Sequence, residues 1–295
     1  MNHPDRELLS IIVPVYNEVR TVLAVIERLQ AIDLPLAREI LIVNDGSTDG
    51  TGPLLDRFAT LHPWATIVHR TNRGFRANGG GVMDAFYVGY EIIRNEPWDF
   101  IVKLDGDLSF APDYFEKCFA RFAEDPTLGL AGGVICSRRG EDLHIEFSGD
   151  PPFHVRGATK IYRRECWNQI APLIKAPGWD TLDEVRANLF GWQTRTFTDI
   201  PLVQHKATGS ADGSWRNAFK NGRANYITGY HPAFMLAKCA KRLLHRPYFV
   251  EAAGLTAGFV SGYLKRLPRL ADAETVRYLR SQQVRRLLMR PSIYG

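Results

Sequence analysis

Asp99-Phe-Ile-Val-Lys-Leu-Asp-Gly-Asp107 decides the reading of this chain: a short apolar run that stops at two carboxylates. A run of this length bounded by turn residues predicts a buried strand, and the two acids then sit where the strand leaves the sheet. Carboxylates at i and i+2 on extended backbone point the same way, with Cα atoms about 7 Å apart. That spacing suits a hard divalent cation, which takes oxygen ligands from one or two carboxylates and completes its shell with phosphates and water. The glycine between them lets a diphosphate approach the backbone.

Upstream, the same grammar repeats. Ser10-Ile-Ile-Val-Pro-Val-Tyr16, Glu39-Ile-Leu-Ile-Val-Asn44 and Ala65-Thr-Ile-Val-His69 read as three further strands. Between them, Val22, Val25, Ile26 and Leu29, then Leu54, Leu55, Phe58 and Leu61, then Val82, Phe86, Gly89 and Ile93 recur at helical spacing. Phe115, Cys118, Phe119 and Phe122 mark one more helix after the double acid. Alternation at this pitch predicts right-handed βαβ units, hence a Rossmann-like, mostly parallel central sheet with helices on both faces. Beyond residue 130 the pattern loosens into strands at Leu128–Ile135 and Gln193–His205 with a polar helix near Leu182–Phe190 between them. Residues 215–295 read as chiefly helical, with breaks at Pro232, Pro247 and Pro268.

In open parallel sheets, ligands bind outside the carboxyl ends of the strands. The residues to read are therefore Asn17 and Glu18, Asp45 to Asp49, Asn72 to Gly81, and Asp105 to Asp107. Three of these four loops carry acids. None carries the GxGxxG of a dinucleotide site, the GxxxxGK of a P-loop or the GxSxG of a hydrolase elbow, and Gly79-Gly80-Gly81 has neither the spacing nor the preceding strand.

In order and spacing, Pro14-Val-Tyr-Asn-Glu18, Val43-Asn-Asp-Gly-Ser-Thr-Asp49, Asn72-Arg-Gly74 and Asp105-Gly-Asp107 together resemble the family 2 glycosyltransferases of the GT-A fold. The likeness covers roughly residues 8–205. It implies a GT-A catalytic domain over residues 1–214, with a nucleotide-sugar half to about 110 and an acceptor half over 111–214, followed by a basic helical region at 215–295. It also implies an inverting transfer from a nucleotide-diphosphate sugar to a hydroxyl of a saccharide or lipid-linked saccharide acceptor, in the synthesis of cell-surface polysaccharide or glycoconjugate. On this resemblance Pro14, Tyr16, Glu18, Asp45, Asn72, Arg73 and Asp105 hold the nucleotide. Asp107 holds Mn²⁺ or Mg²⁺, with His205 as a further candidate ligand. Asn44 stands where the commoner version has an acid, but the second acid is kept as Asp45. A carboxylate there accepts the N3–H of uracil or thymine, which favours UDP or dTDP donors.

The resemblance further implies a base near the start of a helix, eleven residues before a glycine. Asp180 occupies that offset from Gly191, with Arg186 six positions on; Asp183 and Glu184 are the alternative bases, and Trp179 replaces the usual preceding acid. Gly157, Ala158 and Trp179 would lie on the acceptor side. Lys206, Arg216, Lys220 and Arg223 are available to screen a diphosphate.

Composition agrees with a folded α/β enzyme. Of 295 residues, 45% are hydrophobic and 23% charged, enough to bury a substantial core. The apolar runs fall well short of the ~20 residues of a membrane-spanning helix, and no leader-like stretch opens the sequence. Cys118, Cys136, Cys166 and Cys239 lie far apart, which predicts four reduced thiols. The net charge of +5 hides an asymmetry: residues 1–204 hold 21 Lys/Arg against 28 Asp/Glu, residues 205–295 hold 16 against 4. A basic tail on an acidic body, with the apolar stretch 248–264 flanked by Lys238, Lys241, Arg242, Lys265, Arg266 and Arg269, suits either a helix packed on protein or a segment set against anionic lipid over 232–270. The expected location is the cytoplasm, peripheral to the inner face of the membrane. A homo-oligomer is compatible with this composition; a nucleic-acid partner is not expected, because no recognition motif interleaves the bases. Two rivals share parts of the pattern. A sugar-nucleotide nucleotidyltransferase would need a basic glycine-rich first loop that residues 15–18 lack. A non-catalytic subunit of a saccharide-assembly complex would not need the acids at 45, 105, 107 and 180.

Overall fold

In a computed structural model, the structure describes residues 8–31, 37–75, 80–146, 149–206, 213–243 and 248–295. Pro247 and part of the 72–81 loop lie outside the described residues.

Four apolar runs form the strands expected of them: β1 (Leu8–Val15), β2 (Ala37–Asn44), β3 (Ala65–His69) and β4 (Phe100–Leu104). They pair in parallel in the order β3-β2-β1-β4, joined through α1 (Val22–Gln30), α2 (Thr51–Leu61) and α3 (Gly80–Ile93). Period-two alternation sorts the strand residues between two cores. Ile11, Val13, Ile40, Ile42 and Val102 face α1, α2 and a later helix at Tyr114–Glu124, whereas Ile12, Leu41, Val43 and Ile101 face α3 and the helices that follow. Helices on both faces explain why these strands are continuously apolar.

Past β4 the sheet becomes mixed. The chain continues through β5 (Leu108–Phe110), α4 (Tyr114–Glu124), β6 (Leu128–Arg139), β7 (Asp142–Ile145), β8 (Thr159–Arg163), α5 (Arg164–Ile170), α6 (Trp179–Leu189) and β9 (Gln193–Gln204). Strand β8 runs antiparallel to both β4 and β6, β9 runs parallel to β6, and β5 and β7 pair antiparallel with β9 and β6. The parallel arrangement read from the sequence thus holds from β3 to β4, and the insertion of β8 reverses it. The β4–β8 pairing sets Leu104 opposite Thr159, which carries the 155–158 turn directly to the end of β4.

The C-terminal region is helical, as expected: α7 (Gly213–Ile227), α8 (Pro232–Arg242), α9 (Val250–Leu264) and α10 (Ala273–Leu287). Pro232 opens α8 at its first turn, where a missing N–H costs nothing. Helix α9 packs along α7 through Gly254, Gly258 and Gly262. A Cβ at Gly258 would lie 2.1 Å from the Phe219 carbonyl oxygen, so only glycine permits this approach. A third core, including Phe153, Val185, Ala218, Tyr226, Leu255 and Leu279, binds these helices to α6. No helix among the described residues is long and apolar enough to cross a membrane. All four cysteines are buried and free.

Candidate active site

The loops after β1, β2 and β3 are tied together by their own side chains. Asn17 adopts φ 54°, a left-handed conformation that asparagine tolerates. Its N–H donates to Ser47 Oγ at 2.9 Å, and its Oδ1 accepts from the Thr48 N–H at 2.8 Å. The Glu18 N–H donates to Thr51 Oγ1 and the Val19 N–H to Asp49 Oδ2. Much of the second motif therefore serves to hold the first. Asp45 faces the third loop: Arg70 and Arg73 each donate to one of its oxygens, and Arg73 also reaches Asp84 at 3.3 Å. Asn72 donates to the Gly46 carbonyl at 2.6 Å. Pro14 is buried in register with Val43, and Tyr16 emerges exposed at the end of β1.

The double acid closes this rim on the other side. Asp107 is only 6% exposed, and its carboxyl is pushed up to about 7. Burial is the main cause; Asp105 and Glu18 add to it, against a hydrogen bond from Gln204 and the charge of Lys103. A carboxylate crowded by two others in this way is a fit partner for a divalent cation. Among the described residues no three ligating side chains converge into a ready-made cage, so most of a cation's shell would come from diphosphate and water. His205 follows β9. Its N–H donates to the Asp107 carbonyl at 2.9 Å and its exposed ring meets Ser109 Oγ. Lys206 pairs with Glu18 at 2.7 Å and donates to the Asn17 carbonyl, which brings it to the same rim. Arg223 instead binds Ser261 on α9.

The 155–158 turn joins this rim to α6. The Asp105 N–H donates to the Ala158 carbonyl at 2.8 Å, and Lys103 donates to both Asp105 and the Gly157 carbonyl. On the other side of Gly157 stands Asp180: a Cβ there would meet Trp179 Cζ2 at 2.9 Å and Asp180 Oδ2 at 3.3 Å. Asp180 thus lies in the first turn of α6, half-buried, with the 157–158 turn between it and the double-acid loop.

Asp183 and Glu184 take a different place. They are 2% and 0% exposed, and both bind Lys160 Nζ at 2.8 Å. Tyr162 donates to Asp183, while Glu184 accepts from the Val155 N–H and pairs with His154 at 2.9 Å. Burial pulls the Lys160 ammonium down, but Asp183, Glu184 and Asp180 more than offset it and hold it above its ordinary value. The Asp183 carboxyl is pushed up to about 6, chiefly by burial. These two acids are committed to the interior, and Asp180 is the one that meets the rim.

Two members of the site were not singled out from sequence: Lys103 and Lys160, both buried and facing each other across the β4–β8 pairing. Their ammonium groups flank the Trp179 ring at 5.6 and 5.3 Å. A lysine inside the otherwise apolar Phe100–Leu104 run was the available signal for the first. Nothing local marks the second, whose counter-charges lie 23 and 24 residues away.

Known proteins share this architecture. The mannosyltransferase PcManGT from Pyrobaculum calidifontis, solved with GDP-Man and Mn²⁺, superposes over 88% of this chain and 88% of its own at a TM-score of 0.61 and 21% identity, which places the chain in the GT-A fold. Residues 10–171 match Glycosyl transferase family 2; the chain belongs to that family and is a glycosyltransferase. Asp180, Asp183, Glu184 and His205 lie beyond the matched span. Among relatives, the undecaprenyl-phosphate 4-deoxy-4-formamido-L-arabinose transferase of Pseudomonas aeruginosa is 32% identical over 120 residues, 40% of this chain and 33% of that protein. The undecaprenyl-phosphate mannosyltransferase of Micrococcus luteus is 30% identical over 106 residues, 36% of this chain and 40% of that protein. The aligned part thus spans about a third of the curated relatives first matched.

Proposed function

We propose that this chain transfers a sugar, with inversion, from a UDP- or dTDP-linked donor to a hydroxyl of a saccharide or lipid-linked saccharide acceptor, assisted by Mn²⁺ or Mg²⁺. One observation carries this reading: Asp180 stands beside Gly157, where an added Cβ would lie 3.3 Å from its Oδ2, and the Gly157–Ala158 carbonyls are bonded to Lys103 and to the Asp105 N–H. A proton acceptor and a double-acid loop therefore share one rim.

Asp45, oriented by two guanidinium groups, keeps lone pairs free to accept a pyrimidine N3–H. Tyr16, Glu18, Asn72, Arg73 and Asp105 stand on the loops that follow β1, β3 and β4 and would flank the nucleotide. Asp107, with His205 beside it, would hold the divalent cation, which neutralises charge on the departing diphosphate. Asp180 takes the acceptor proton as the hydroxyl oxygen bonds to the anomeric carbon. The carbon–oxygen bond to the diphosphate breaks on the opposite face, and its electron pair leaves with the nucleotide. General-base help of this kind contributes about 10²–10⁴ in rate. Asp183 and Glu184 support Asp180 from beneath through Lys160, whose ammonium also binds the Asp180 carbonyl at 2.5 Å.

We place the reaction on the cytoplasmic face of a membrane. Leu264 is exposed at the end of α9 beside Lys265 and Arg266, and Phe249 is exposed just before the helix begins, an arrangement that supports docking to anionic lipid over 232–270. Both assignments rest on one assay. UDP-, dTDP- and GDP-sugars are screened for Mn²⁺-dependent release of free nucleoside diphosphate, with and without anionic vesicles. Release of pyrophosphate instead, or no nucleotide binding, overturns the proposal.

A further inference from the structure

Behind Asp180 lies a cavity of about 1270 Å³ that the donor chemistry does not use. Thr181 lines it, as do His154 and Tyr230, and the charge of Asp180 is felt at both rings. The cavity therefore begins where the proposed donor rim ends.

Its walls have two characters. One is cationic: Lys238, Lys241, Arg242, Arg286 and Arg290 all contribute. Among the described side chains that line it, Asp150 is the one acid, already paired with Arg156 at 2.7 Å. Arg242 stands 3.8 Å from Glu251 and Arg286 donates to the Gly295 carbonyl. Among the described residues, Lys238, Lys241 and Arg290 have no carboxylate partner. Lys238 lies 5.0 Å from the Tyr230 ring centroid, half-buried, and its ammonium is lowered to about 8 by burial and by Arg242, with Cys239 and Asp150 opposing and Arg156 adding to the fall. A bound anion would hold the charge on an ammonium in this position. The other wall is apolar and aromatic. Tyr294 sits between Phe153, edge-on at 5.2 Å, and Phe234, tilted at 4.9 Å, and the mouth carries Leu287 and a fully projecting Met289, 94% exposed.

We propose that this cavity is an acceptor subsite for a phosphate ester in which the phosphate joins a saccharide to an apolar chain. Lys238, Lys241 and Arg290 seat the phosphate, Leu287 and Met289 meet the chain, and the saccharide hydroxyl faces Asp180. The cavity exceeds the several hundred cubic ångströms of an ordinary small-molecule pocket, which leaves room for both parts. The assignment rests on Asp180 being the acceptor-side base.

The test uses the full chain, with farnesyl monophosphate as probe and farnesol and inorganic phosphate as its two halves, each titrated by calorimetry. Farnesyl monophosphate is expected to bind at least tenfold more tightly than either half. The Lys238→Gln/Lys241→Gln double variant should weaken it at least tenfold while UDP affinity with Mn²⁺ stays within twofold. Should that variant fail to fold, the exposed Arg290→Gln change makes the same test, with an expected loss of about threefold. Equal binding of farnesol removes the anion site. Equal binding of inorganic phosphate removes the amphiphile. Tight binding that none of these variants weakens puts the ligand elsewhere, and each of these three results overturns the proposal. Failure of UDP to bind any of the proteins overturns the glycosyltransferase mechanism instead, and is scored separately.

Discussion

The proposed donor side and the proposed acceptor side of this protein are built from opposite materials. Between β1 and β4, apolar strands carry polar loops outward, and the loops hold one another through short bonds such as Asn17 to Thr48 and Glu18 to Thr51. Around α6 the charges point inward: Lys160, Asp183 and Glu184 are all buried, each satisfied by the others. The first arrangement stabilises a surface that awaits an anion and a cation. The second gives a rigid floor under one carboxylate, Asp180, which alone is left half-exposed.

This contrast can be broken at several points. The largest effect is expected at the two acids of the rim. Asp180→Asn should lower kcat by about 10²–10⁴ with UDP affinity unchanged, because it removes only the proposed proton acceptor. Asp107→Asn should cost both kcat and Mn²⁺-dependent UDP binding, since it acts on the donor; steady-state kinetics paired with nucleotide titration separate the two. Next comes the floor. Lys160→Met strands Asp183 and Glu184 without their ammonium, and urea unfolding should show a loss of about 3–5 kcal/mol. A change there that left stability intact would mean that the buried cluster does not hold α6.

A smaller loss is expected at the seam between α7 and α9. Gly258→Val forces a side chain against the Phe219 carbonyl and should cost about 1–3 kcal/mol in the same assay. The smallest effect is a pH dependence on the acceptor side. Lys238 carries its charge below about 8 and loses it above, facing Arg242, Arg156, Asp150 and Cys239. A bound phosphate raises that value, so affinity for farnesyl monophosphate should fall as pH rises from 7 to 9, by about threefold. The Lys238→Gln variant should be flat over the same range.

The sequence made the donor side legible and the acceptor side only partly so. Strands β1 to β4 are buried on both faces, so their runs stand out, and the acids that end them fall where open sheets bind ligands. Strand β8, Thr159-Lys-Ile-Tyr-Arg163, carries two charges in five residues and matches no apolar pattern. It becomes a buried strand only because Asp183 and Glu184 neutralise Lys160, a compensation that local reading does not reach. The same distance hides the partnership of Lys103 with Gly157. The offset that singled out Asp180 came from likeness to a family; in the structure it is burial that separates Asp180 from Asp183 and Glu184. The cavity behind it joins residues 149–154, α8 and α10, segments far apart along the chain.

The Lys103 ammonium, clasped between Asp105 and the Gly157 carbonyl, has a further consequence. Whatever diphosphate arrives beside Asp105 competes for the same positive charge that fixes the turn under Asp180. In the proposed mechanism, occupancy on one side is therefore felt on the other through a single side chain.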